Sequence, residues 1–64
     1  MFTVVIKTDN AAFGDNDGGY ASEECRQEIA RILQEVSSNV LAGDMCESVR
    51  DANGNTVGSH TLDL

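Results

Sequence analysis

Apolar and polar positions alternate at the start of the chain. Phe2, Val4 and Ile6 fall on one side, and Thr3, Val5 and Lys7 on the other. This two-residue period, in a β-branched run, predicts a strand over residues 2–8. The period then changes. Cys25, Ile29, Ile32, Val36 and Val40 recur at steps of four, three, four and four, with Leu33 beside them, which makes a narrow apolar stripe on a helix. Ser22 is placed to cap its start, with Glu23 and Glu24 in the first turn where the helix dipole favours acid, and Gly43 to end it.

Between these elements, residues 9–21 read as a loop. Its one bulky apolar residue, Phe13, is expected to fold back onto the core, and Gly14-Asp15-Asn16-Asp17-Gly18-Gly19 is turn chemistry. Beyond Met45 the helical period is gone. Asn53-Gly54 predicts a hairpin with a type I′ turn, which needs positive φ at both residues. That turn pairs Ala52 with Asn55, Arg50 with Val57, Val49 with Gly58, Glu47 with His60, and Met45 with Leu62. Met45, Val49, Leu62 and Leu64 then share a core face. Glu47 and His60 fall on the same face, which is tolerable near an edge, and a bulge near Gly58 would alter the pattern. The expected fold is α+β: a β-α-β-β chain with a three-stranded antiparallel sheet in order 1-3-2 and one helix packed on one face. Residues 1–64 are expected to form a single small domain.

Composition narrows the function. A chain of 64 residues buries roughly 60% of its unfolded surface, too little for a deep catalytic cavity. Eleven acidic against four basic residues leave a net charge of −7. Direct binding of nucleic acid or an anionic membrane is therefore not expected, since phosphate recognition rests on Lys and Arg. The start, FTVVIK, is too short for a secretory leader, and no apolar run reaches membrane-spanning length. Cys25 and Cys46 read as free thiols of a reducing cytoplasm.

Each candidate chemistry meets an obstacle. An EF-hand loop begun at Asp15 has Gly19 at its fifth position, Tyr20 in place of the sixth-position glycine, and Arg26 where a bidentate glutamate belongs. Two cysteines and one histidine without close spacing make a poor zinc site. Cys25 lies on the apolar stripe, and nothing in the spacing selects a nucleophile to pair with His60, so Glu47 and His60 read as a cross-strand polar pair. No phosphate-binding glycine loop is present. No enzyme, cofactor or metal is expected. What remains is charge. Glu24, Glu28 and Glu35 fall in one narrow arc of the helix, with Arg31 among them, and Asp15 and Asp17 lie in the loop at its start. Duplex DNA as long as this helix carries roughly 18 charges. Mimicry of nucleic acid could therefore extend over only a few phosphates.

Three segments, TVVIKTDNAAFGD, EIARILQEV and RDANGNTVGS, together resemble a set of very short phage and prophage proteins. Those proteins share an I-K-T-D-N-A-A-F segment, a helix containing A-R-I-L, and a closing R-D-x-N-G-N-x-V-G hairpin. The resemblance spans residues 3–59. It brings no catalytic residues, and the chain departs from the set in residues 14–19 and in its cysteine pair. Short acidic proteins of such elements also resemble anti-CRISPR proteins, several of which block the DNA-binding surface of a type I complex. The resemblance implies an anti-defence protein of the bacterial cytoplasm, monomeric or homodimeric, that meets a basic DNA-binding surface on a type I CRISPR effector, and the charge pattern offers Glu24, Glu28, Glu35, Asp15 and Asp17 as the residues expected to make the contact. The alternative is a non-enzymatic phage accessory protein acting through homo-oligomerisation, with Phe13, Val5 and Val57 as its exposed apolar groups.

Overall fold

The structure, a computed structural model, describes residues 1–16 and 19–64. Strand β1 (Phe2–Ile6) leads through a single 3₁₀ turn (Ala11–Phe13) to helix α1 (Glu23–Leu41), followed by strands β2 (Cys46–Arg50) and β3 (Thr56–Leu62). The sheet is antiparallel with order β1-β3-β2. The fold is α+β with the expected topology.

Helix α1 is bounded by its own sequence. The Ser22 hydroxyl accepts the Cys25 N–H and donates to the Phe13 carbonyl, tying the helix start to the preceding turn. At the other end the Asp44 N–H reaches the Asn39 carbonyl and the Gly43 N–H that of Val40, with Gly43 at φ 107°. This is a Schellman arrangement, which leaves the position after the cap to glycine. Cys25, Ile32 and Val36 are buried along the stripe, with Ile29 and Val40 packed against them. They meet Phe13, Val49 and Val57. Phe13 is fully buried, as its apolar character in a polar loop foretold.

The register agrees with the expected one from Cys46↔Thr61 and Glu47↔His60 up to Val49↔Gly58, and breaks on the turn side of Val49. Arg50 pairs with Thr56, not Val57, because a bulge lies between Val49 and Arg50 on this ladder. The cause is the turn. Asn53 does not have positive φ, and only Gly54 does, at 84°. The Gly54 N–H bonds the Asp51 carbonyl and the Asp51 N–H bonds the Asn55 carbonyl. Residues 51–54 thus form a type I turn with glycine following in the left-handed region, a three-residue loop in place of the two-residue type I′. The extra residue is absorbed by the bulge, which lets Val57 reach the core.

The expected core face also needs correction. Of Met45, Val49, Leu62 and Leu64, only Val49 is buried. Leu62 is half-buried, and Met45 and Leu64 are exposed. His60 is not at an edge. It lies in the central strand, 1% exposed, between Val4 and Glu47 in register, with its ring 5.9 Å from that of Phe2. Gly58 sits where β1 crosses closest. A Cβ there would overlap the Val5 carbonyl and come within 3.1 Å of the Ile6 Cα.

Candidate functional site

The segments that carry the sequence resemblance converge on one polar junction. Asp51 heads the hairpin turn and is buried. One of its carboxylate oxygens accepts the N–H groups of Asn53 and Asn55, each at 2.9 Å. The other accepts from the Asn10 amide at 2.6 Å and the Asn55 amide at 3.3 Å. Asn10 in turn caps the 3₁₀ turn through the Ala12 N–H. Burial pushes the Asp51 carboxyl up, yet these four bonds together hold it below its ordinary value.

Glu28 fastens the same turn to the helix. Its carboxylate receives the Arg31 guanidinium at 2.6 and 3.3 Å and the Ala52 N–H at 2.7 Å. Arg31 also reaches Glu35 at 3.1 Å and the Arg50 carbonyl at 3.2 Å. The Arg31 bond, helped by Ala52 and opposed by burial, keeps the Glu28 carboxyl below the usual range. All four carboxylate oxygens of Asp51 and Glu28 are occupied by the chain's own donors. Its chemistry is that of a structural clasp between 3₁₀ turn, helix and hairpin.

This changes the acidic set. Glu28 is only 7% exposed and belongs to the clasp, not to an open helix face. Glu24 and Glu35 are exposed, Glu35 with Arg31 beside it. Glu24 packs against Gly14, whose φ of 65° and missing side chain leave it room. Asp15 is exposed, and Asp17 lies outside the described residues. The structure therefore brings Glu24 and Asp15 to the helix start and places Glu35 three turns away. Of the apolar groups expected on the surface, Phe13 and Val57 are buried, and Val5 alone is exposed.

The two faces of the sheet differ in charge. By register, Thr3, Val5, Cys46, Ser48, Ser59 and Thr61 point away from the helix. No strand residue on this open face is a carboxylate. Of the exposed acids, Glu23, Glu24, Glu35 and Asp44 lie on the helix or at its ends, Glu47 lies on the helix-facing side of β2, and Asp9, Asp15 and Asp63 lie outside the strands.

A groove of about 200 Å³ runs between α1 and β2. Glu35 and Asn39 stand on its helix wall and Glu47 on its strand wall, with His60 beneath. Sequence reasoning named Glu47 and His60 only as a polar pair. The order 1-3-2 puts the third strand in the middle, and that was the available signal that its histidine would be buried. Asp51 had a signal too, since Asp at the first position and Gly at the fourth mark a type I turn.

Among the described residues no cluster of three His, Cys, Asp or Glu side chains is placed to hold a metal ion, and no helix is long and apolar enough to cross a membrane. Cys25 and Cys46 are free thiols, the first buried and the second exposed. Comparison with protein-family models, curated proteins and solved structures finds no match to this chain.

Proposed function

We propose that this protein is an anti-defence protein that binds another protein and performs no chemistry. Its acidic side occupies a basic nucleic-acid-binding site on a bacterial defence complex, with a type I CRISPR effector as the favoured target, and keeps target DNA out. It acts in the cytoplasm of the host cell. The observation that carries the reading is the distribution of charge: the open sheet face has no carboxylate within its strands, while Glu23, Glu24, Glu35 and Asp44 are exposed on the helix and its ends, with Glu47 on the helix-facing side of β2 and Asp9, Asp15 and Asp63 in the connecting and terminal segments. Glu24, Glu35 and Asp15 are the contact residues, with Asp17 added from sequence. Glu28 is left out because its carboxylate is engaged internally. A net charge of −7 replaces only part of the roughly 18 charges on a duplex of helix length. Such charges speed association and set specificity more than affinity.

The test is capture of a type I complex by tagged protein at low and high salt. Wild type is expected to recover a complex subunit at low salt only, since screening shortens the reach of exposed charges. The double variant Glu24→Lys/Glu35→Lys, which keeps Glu28 and Asp51 and removes only the exposed Arg31–Glu35 pair, is expected to lose that recovery while staying folded. Undiminished capture by the folded variant would defeat the reading. Recovery of no subunit, with the bait eluting as a discrete homo-oligomer, would favour the accessory-protein alternative. Val5 on the open sheet face is the exposed apolar group left to that alternative.

A further inference from the structure

His60 is 1% exposed, and neither of its ring nitrogens has a hydrogen-bond partner among the described residues. A buried polar group left unmade is costly, and native structures rarely keep one without a reason. The ring lies beneath the groove between α1 and β2. Above it stand carboxylates on both walls, Glu35 from the helix and Glu47 from the strand, with the Asn39 amide beside them. Ile32, Val36 and Val49 supply apolar wall. Arg50 lines the end of the groove and Arg31 lies beside it, and both have donors engaged within the chain. Arg50 donates to the Gly54 carbonyl, and Arg31 spends its guanidinium on Glu28, Glu35 and the Arg50 carbonyl.

We propose that this groove receives one arginine side chain from the partner's surface. The proposal rests on the reading that the acidic side of the molecule meets a basic partner, and it names the point of engagement. The chemistry selects the occupant. Arginine has an aliphatic stem to lie along Val36 and Val49, and a planar head with five donors and no acceptor. Those donors match the two carboxylates and the unpartnered imidazole below them. An anion is excluded by Glu35 and Glu47. A wholly apolar side chain would leave the imidazole unmade.

The test uses the whole protein and Nα-acetyl-arginine methylamide as probe, followed by NMR of the His60 ring and the Ser48 and Val49 amides. The neutral isostere acetyl-citrulline methylamide is the control. Saturable shifts confined to the groove are expected with arginine, and binding about ten-fold weaker or none with citrulline. Glu47→Gln, an exposed change, is expected to weaken arginine about five-fold, the worth of one surface ion pair. Glu24→Lys, outside the groove, is expected to leave it unchanged. Non-saturating shifts, equal binding of citrulline, no effect of Glu47→Gln, or ring resonances that do not move would each overturn the proposal, the last meaning that solvent alone meets the imidazole. Capture of the effector complex is scored separately. Capture by a protein that fails the arginine titration overturns the groove and leaves the acidic-surface reading standing. Arginine binding without capture does the reverse.

Discussion

Glu28 belongs to the acidic arc by sequence and to the interior by structure, and the difference is one of angle. At about 100° per residue it stands about 40° from Ile32 on the helix, whereas Glu24 stands about 80° away. It is therefore at the margin of the apolar stripe, where a partner decides whether a carboxylate is buried. Arg31, three residues on, was legible as a partner from its spacing, whereas the Ala52 N–H was invisible because it lies across a tertiary contact. The depressed Glu28 carboxyl makes a signed prediction. Its folded value lies below the ordinary 4.5, so its contribution is fully present above that pH and is lost as pH falls through the folded value. Glu28→Gln should cost about 1–3 kcal/mol at pH 7 and measurably less at pH 3, read from urea midpoints. An equal deficit at both pH values would remove the ion pair from the account. Gly58 is the second decisive residue. Gly58→Ala drives a methyl into the Val5 carbonyl, against backbone that cannot step aside. The expected loss is about 3 kcal/mol or more, enough to abolish cooperative unfolding in a core of this size, as circular dichroism melts would record. Sequence marked Gly58 only as a place for a bulge.

Among the elements, helix α1 was fully legible. Its stripe, its Ser22 cap and its Gly43 terminus are local signals, and local signals survive tertiary context. The first strand was legible too, although it stops at Ile6 as a formal element while the Lys7 N–H still reaches the Val57 carbonyl. The hairpin was half legible. Asn-Gly promised a turn and there is one, but Asp51 recruits the backbone N–H groups of Asn53 and Asn55 and closes a three-residue loop. A side chain that bonds its own backbone two residues on competes with the type I′ geometry. Two substitutions separate the turns. Gly54→Ala should lower stability by about 1–2 kcal/mol, because alanine resists the left-handed region. Asn53→Ala should stay within about 0.5 kcal/mol. Equal losses at the two positions, in denaturant titrations, would reinstate the two-residue turn. The candidate site was less legible than the fold because it is made by packing. Glu47 and His60 meet Glu35 and Asn39 only when the strand order places β2 beside the helix wall.

At the scale of the molecule, the chain is thin and open. Its extents are 38 × 22 × 16 Å and its radius of gyration is 12.3 Å, against about 11 Å for a compact chain of this length. Its accessible surface of 4568 Å² exceeds the roughly 3,950 Å² expected for its mass. Helix on sheet gives two layers, and a third is missing from the open sheet face. The open sheet face has no carboxylate within its strands, so reversal of Glu24 and Glu35 tests the helix side of the molecule without touching that face. That sidedness was beyond the reach of a sequence total: −7 is a sum, and the strands sort it by parity. The sheet order has a consequence for the birth of the molecule. β3 is the partner of both β1 and β2, and it is synthesised after both. While the ribosome is still working on residues before Thr56, β1 has waited through the whole loop and helix with nothing to pair with, and β2 has only a turn ahead of it. Neither ladder can close before residues 56–62 are made, so both pairings wait on the one strand that joins them.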